Sequence, residues 1–239
     1  MPDPTLTQKC TNWAKFFYGD YVLVNNAWGV APPRPPRSDW TQCIYNGTVG
    51  GQIRNQWTWN WPSIGSNDVY AYPEVIFGWK PFDADTTTTK LPRQLSTISS
   101  IPTTYEIEIA AGTSGVYNTA FDLWLTSGAT PSSSTITSEV MIWVDQKGLQ
   151  PAGAPIATVP ATFGSFTLYK STFPGWIYYA FVLDTTLLAA TIDLNGLLQY
   201  MVNQGHASPN EYLASIEFGN EISSGTGEAD LKQFSVDVV

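Results

Sequence analysis

Glu139-Val140-Met141-Ile142-Trp143 places a carboxylate inside what otherwise reads as a buried strand. Side chains alternate across a strand, so Glu139, Met141 and Trp143 share one face and Val140, Ile142 and Val144 share the other. The aliphatic face belongs to a core. The opposite face carries an acid, a thioether and an indole, which suits a groove holding a flat, hydroxyl-bearing, partly apolar ligand. Toward the C-terminus, Ile216-Glu217-Phe218-Gly219-Asn220-Glu221 alternates in the same way. Ile216 and Phe218 face one side, and Glu217, Gly219 and Glu221 the other. Cleavage of a glycosidic bond needs two carboxyl groups flanking it, one ionised and one protonated. The two strands supply candidates for both.

These residues carry a family resemblance. Glu139 to Trp143 followed by Gly148-Leu149-Gln150-Pro151-Ala152-Gly153 resembles the nucleophile strand and following loop of glycoside hydrolase family 12, compact endo-β-1,4-glucanases and xyloglucanases. Cys10-Thr11-Asn12-Trp13, Asn25-Asn26-Ala27-Trp28-Gly29, Tyr70-Ala71-Tyr72-Pro73-Glu74, Asp193-Leu194-Asn195 and Phe218-Gly219-Asn220-Glu221 follow the family's order. Each motif is weak alone, but together they span almost the whole chain.

The resemblance implies a retaining hydrolase of β-1,4-glucosidic bonds. Glu139 is the expected nucleophile, Glu221 the expected general acid/base, and Asp122 the acid assisting the nucleophile, with the two catalytic carboxyls about 5–5.5 Å apart. Carried over by position, Trp13, Asn26 and Trp28 bind sugar on the non-reducing side, and Met141 and Trp143 bind beside the nucleophile. The chain departs from the family pattern around the acid. Asn220 stands where a small hydroxyl residue is usual, and Ser223 where an aromatic is usual. Asn220 is therefore expected to shift the pH optimum, and Glu217, of the same strand parity, is a rival for the acid's place.

Composition sets outer bounds. The chain has 239 residues, 43% hydrophobic and 13% charged, as in an ordered globular protein, and residues 1–239 are read as a single catalytic domain. A net charge of −9 argues against nucleic acid as partner. No stretch is apolar for long enough to span a bilayer. Cys10 and Cys43 are the only cysteines and read as one disulfide in an exported protein, a pairing the resemblance supports. Met1-Pro2-Asp3-Pro4 lacks the basic start and apolar run of a signal peptide, so a mature or trimmed secreted form is expected. A monomer without cofactor or metal is expected: the single His, His206, supports neither a histidine metal cluster nor an obvious triad.

Local patterns fill in the rest. Tyr21 to Asn26 reads as a strand, and Ala31-Pro32-Pro33-Arg34-Pro35-Pro36-Arg37 as a surface loop, because prolines lack ladder donors. Asn46-Gly47-Thr48 is a formal glycosylation sequon, and its Asn-Gly also suits a hairpin turn. Trp57, Trp59 and Trp61 share one face of an extended segment, with some expected in the cleft and the others in packing. Residues 83–104 read as a long surface loop or edge strand, and 126–138 as a hairpin connection. Between these, Asp122 and Trp124 share a face opposite Phe121, Leu123 and Leu125. Asp193 as N-cap, Leu194, Leu197, Leu198, Met201 and Val202 at helical spacing, and Gly205 beyond them predict one helix. The expected fold is all-β: a two-sheet antiparallel sandwich with one packed helix. The resemblance makes it a β-jelly roll of curved sheets, with the cleft on the concave side and the helix on the convex side. A non-catalytic, lectin-like carbohydrate-binding jelly roll is the alternative. It would use the aromatics but has no need of two acids facing one groove. Xyloglucan in place of cellulose-type glucan is the alternative substrate.

Overall fold

The computed structural model describes residues 2–30, 37–65 and 68–239. Apart from Arg37, the expected proline-rich loop lies outside the described residues. In chain order the strands are β1 (Thr7–Lys9), β2 (Lys15–Tyr18), β3 (Tyr21–Val24), β4 (Thr41–Val49), β5 (Gln52–Trp61), β6 (Glu74–Gly78), β7 (Arg93–Gln94) and β8 (Pro102–Ile109). They continue as β9 (Val116–Thr126), β10 (Ile136–Lys147), β11 (Ala154–Ala161), β12 (Gly164–Phe173), β13 (Trp176–Leu183) and β14 (Ala189–Asp193). Helix α1 (Leu194–Asn203), β15 (Tyr212–Gly219) and β16 (Ile222–Val236) complete the chain.

Two sheets result. One runs β1-β4-β5-β16-β8-β14. The other runs β2-β3-β6-β15-β9-β10-β13-β12-β11, and the start of β16 pairs with β9 to join the two. Among the described residues these strands all pair antiparallel except β10 with β13, which is parallel and sets Glu139 beside Tyr178. The β11–β12 hairpin causes this: the chain leaves β10, runs out and back, and enters β13 in its original direction.

Alternation works as expected on β10. Val140, Ile142 and Val144 pack into the core between the sheets with Phe121, Leu123, Ile216 and Phe218. Burying each large side chain contributes about 1.5–3 kcal/mol. The three indoles of β5 correct the expectation of a divided role. Trp57, Trp59 and Trp61 are all buried in this core, and none reaches the cleft. Trp59 lies across the ladder from Gly227, where a side-chain carbon would overlap the indole, so only glycine leaves room for that ring. The β4–β5 turn falls at Gly50-Gly51, both at positive φ, so Asn46-Gly47 lies within a strand and is not the turn. The 83–104 segment also differs from a plain surface loop. Its Leu91, Leu95, Ile98 and Ile101 are core residues, and β8, which begins at Pro102, lies between β14 and β16.

The helix forms where its pattern placed it. The Asp193 carboxylate accepts from the Asn195 N–H, and Gly205 at φ 71° lets the His206 N–H reach the Met201 carbonyl at 2.8 Å. Leu194, Leu198 and Met201 enter the core. Tyr200 meets Phe181 on the core face of β13, so the helix lies across the sheet from Glu139. Among the described residues, no helix is long and apolar enough to cross a membrane.

Candidate active site

The face of the larger sheet turned away from the core holds a cavity of about 660 Å³. Trp13, Asn26, Trp28, Asp122, Glu139, Met141, Trp143 and Glu221, the residues singled out from sequence, all line it. The Cys10–Cys43 disulfide is formed, tying the segment that leads into Trp13 to β4.

Glu139 projects from β10. The Trp176 indole N–H, at the start of β13, donates to its Oε2 at 2.8 Å. Glu221 sits in the turn between β15 and β16, clasped by Asn118 of β9. The Asn118 Nδ2 donates to Glu221 Oε2 at 2.6 Å, and the Glu221 N–H donates to Asn118 Oδ1 at 2.9 Å. A third bond, from the Asn118 N–H to the Glu221 carbonyl, measures 3.0 Å. Asn220 points the other way, into the interior. It accepts from Trp57 Nε1 at 2.8 Å and donates to Asn118 O at 2.8 Å and Thr119 Oγ1 at 2.9 Å. All its amide atoms are thus engaged in bracing the turn, and none of these bonds goes to the Glu221 carboxyl. This removes the basis for expecting Asn220 to tune the acid directly.

Both carboxyls take up protons more readily than free glutamate. Burial pushes Glu139 up to about 7, opposed by the Trp176 hydrogen bond and the Lys80 charge. Burial and then the Glu139 charge push Glu221 up to about 8, opposed by Asn118. Asp122 lies in register with Met141 on one side and Glu217 on the other. Burial and the charges of Glu139 and Glu217 raise it well above the ordinary aspartate range. Asp122 Oδ1 and Trp124 Nε1 are buried and have no hydrogen-bond partner among the described residues, which marks the cavity floor as a place for a ligand's polar atoms.

Glu217, the rival acid, does not line the cavity. It is fully buried, accepts from Lys80 Nζ at 2.6 Å and from Ser215 Oγ at 3.0 Å, and shares Lys80 with Glu74. Burial, followed by the Glu74 charge, raises it, while Lys80 lowers it. Burial alone would depress the Lys80 ammonium, but the charges of Glu217, Glu74 and Asp122 outweigh burial and hold it up. The same Glu74 accepts from Asn26 Nδ2 at 2.8 Å, and Asn26 Oδ1 accepts from the Trp28 N–H at 3.1 Å. The buried charge cluster therefore orients one wall of the cavity.

Trp13 is held at φ 65°, a left-handed conformation that a bulky residue adopts only when its surroundings impose it. They do so here. Its N–H donates to Asn25 O, its neighbour Asn12 exchanges two hydrogen bonds with Ala27, and Cys10 is bonded to β4. Trp13 and Trp28 remain 47% and 40% exposed, offering indole surface to a ligand. Met141 and Trp143 are far more buried, with the Trp143 and Tyr178 polar hydrogens directed at the Met141 sulfur.

Sequence reasoning missed Trp176, Tyr178, Asn118 and Lys80. The aromatic and β-branched run Trp176-Ile177-Tyr178-Tyr179 suits a strand, but its placement beside Glu139 depends on the parallel pairing. His206 lies outside the cavity, its ring 5.3 Å from that of Tyr179.

Two acids facing one aromatic-lined cavity agree with what the chain matches. The family model for glycosyl hydrolase family 12 matches residues 19–239. The chain belongs to this family. Among family 12 relatives, Endoglucanase S of Pectobacterium parmentieri is 32% identical over 233 residues, covering 94% of this chain and 84% of that protein. Xyloglucan-specific endo-beta-1,4-glucanase A of Aspergillus niger is 29% identical, covering 96% of this chain and 90% of the relative. The family 12 xyloglucanase from Bacillus licheniformis, solved in complex with ligand, superposes with a TM-score of 0.87 at 28% identity, covering 98% of this chain and 100% of that chain.

Proposed function

We propose that the chain is a secreted, endo-acting hydrolase of β-1,4-glucans that retains anomeric configuration. Glu139 acts as nucleophile, Glu221 as general acid/base and Asp122 as support to the nucleophile. The observation that carries the proposal is the pair of carboxyls, from β10 and the β15–β16 turn, lining one cavity with different partners. Trp176 and Lys80 favour the ionised form of Glu139, while the Glu139 charge favours the protonated form of Glu221.

In the first step Glu139 attacks the anomeric carbon as Glu221 gives its proton to the departing glycosidic oxygen, leaving a covalent glycosyl-enzyme. In the second, Glu221, now ionised, takes a proton from water, whose oxygen displaces Glu139 from the same carbon. Two inversions give retention. Asp122, whose proton affinity burial and the Glu139 charge raise, can share a proton with the nucleophile and spread its charge as it leaves. Trp13 and Trp28 stack on sugar rings, Met141 and Trp143 shape the site beside the nucleophile, and the unpartnered Trp124 N–H can donate to a sugar hydroxyl. The disulfide fits an oxidising, extracellular setting.

The test is reducing-end release from carboxymethyl cellulose, barley β-glucan and xyloglucan, with Glu139→Gln alongside. Turnover by the parent is expected on at least one glucan, with loss in the variant while sugar binding persists. A variant as active as its parent would remove Glu139 from the nucleophile's role.

A further inference from the structure

Among the described residues Lys80 is the one buried lysine or arginine, and it is the only cation lining the cavity that holds Asp122, Glu139 and Glu221. Its place follows from the end of β6. Gly78 takes φ 109°, and a side-chain carbon there would stand 2.6 Å from the Ala214 carbonyl, so glycine is needed for the chain to turn. The Trp79 N–H donates to that same carbonyl at 2.7 Å, and the turn brings Lys80 back over Glu74, six residues earlier. The ammonium is then fully engaged. It donates to Glu74 Oε1 at 2.9 Å, Glu74 Oε2 at 3.0 Å and Glu217 Oε2 at 2.6 Å, which uses its three protons.

Fixed there, one charge meets two parts of the site. On one side it grips the Glu74 carboxylate, which accepts from Asn26, and Asn26 in turn accepts from the Trp28 N–H. The sugar-facing wall leans on this grip. On the other side it reaches toward the nucleophile. Glu217 and Asp122 stand opposite each other on neighbouring strands, which puts their Cβ atoms about 5 Å apart on one face. Asp122 is in turn opposite Met141, which shares its face of β10 with Glu139. The groups facing Lys80 are the acids Glu74, Glu217 and Asp122 and the Tyr72 ring, 5.9 Å away. Those facing Glu139 besides Lys80 are Asp122, Glu221 and the Tyr178 phenol. None of these neighbours is a cation. Burial raises both Asp122 and Glu139, and the Lys80 charge opposes it in each.

We infer that Lys80 is a shared positioning residue: its ammonium, clamped between Glu74 and Glu217, both fixes the Asn26–Trp28 wall against which sugar binds and holds the Glu139 nucleophile ionised. Substrate hold and nucleophile charge then depend on one side chain that touches neither the substrate nor the nucleophile. The inference rests on the glucanase reading above and adds Lys80, Glu74 and Glu217 to the groups on which that reaction depends.

The experiment measures kcat and KM across pH, on the glucan the parent cleaves best, for the parent, Lys80→Met and Lys80→Arg. Lys80→Met keeps the length of the side chain and removes its charge. It is expected to raise KM on the pH plateau about threefold or more, and to move the acid limb of kcat/KM up by about one pH unit. Lys80→Arg keeps the charge, and the cavities on either side of Lys80 leave room for the larger head. Its acid limb is expected within about 0.3 units of the parent's, with most of the KM restored. Should Lys80→Met not fold, Lys80→Met/Glu74→Gln removes one buried charge of each sign and carries the same expectation for KM and limb. A KM that rises while the acid limb stays in place would make Lys80 a structural support alone and overturn the inference. A limb that moves with KM unchanged would overturn it too, as would an arginine variant whose limb stays with that of the methionine variant. A parent inactive on every glucan would instead overturn the glucanase reading.

Discussion

Replacing Trp176 by Phe removes the indole hydrogen bond to the Glu139 carboxyl while keeping an aromatic ring against Trp124 and Phe173. The indole N–H stabilises the ionised form, so its loss raises the proton affinity of Glu139 above the value of about 7 that burial already imposes. A hydrogen bond to a charged group contributes about 1.5–3 kcal/mol, or roughly one to two pKa units. Water entering from the open cleft reduces this to about one unit. Activity requires Glu139 ionised, so the acid limb of the kcat/KM–pH profile moves up by about one unit, and kcat/KM well below it falls about tenfold. The base limb, which follows Glu221, stays near 8 because Asn118 and Glu221 are untouched. The assay is initial rate on a soluble glucan across pH, fitted for limb positions so that weaker stacking changes only the height. An acid limb that does not move would refute the claim that this indole holds the nucleophile ionised.

Glu221→Gln should abolish hydrolysis yet stabilise the fold in alkali. The Glu221 value is raised from 4.5 to about 8, so the native state holds a proton that the unfolded chain has released, and stability is lost as pH rises through that interval. The full shift corresponds to about 5 kcal/mol, and screening by water in the cleft reduces it to about 2 kcal/mol. Melting curves should therefore separate variant from parent near pH ~9 and coincide near pH ~4. Asn220→Ala should cost about 2–4 kcal/mol, because it strands the Trp57 N–H, the Asn118 carbonyl and the Thr119 hydroxyl in a buried site. Its pH limbs should stay in place; limbs that shift while the melting temperature holds would restore Asn220 as a tuning residue.

The alternation around Glu139, Asp122 and Glu221 made the two-faced strands and the acids legible, because strand parity is a property of consecutive residues. The helix was legible for the same reason, its cap, stripe and terminal glycine all lying within a short segment. The Trp57-Trp59-Trp61 stripe shows where such reasoning stops. Parity establishes that the indoles share a face, but whether that face meets core or solvent depends on which sheet lies opposite, and here the other sheet covers all of them. The Leu91 to Ile101 segment was obscured in the same way, its core residues scattered among Thr, Ser and Pro without a period.

The sequence by itself determined the sandwich, the single helix and the disulfide pair, and its family resemblance pointed to Glu139, Glu221, Asp122, Trp13, Trp28 and Trp143 among the residues that line the cleft. Only the tertiary structure decided which groups touch those acids. The parallel entry of β13 brings Trp176 to Glu139, the β15–β16 turn brings Glu221 onto Asn118, and Lys80 closes over Glu74 and Glu217. Apart from Lys80 with Glu74, these are contacts between residues far apart in the chain. Proton affinity depends on burial and on charge a few ångströms away, and both are set by strand order, which no local pattern encodes.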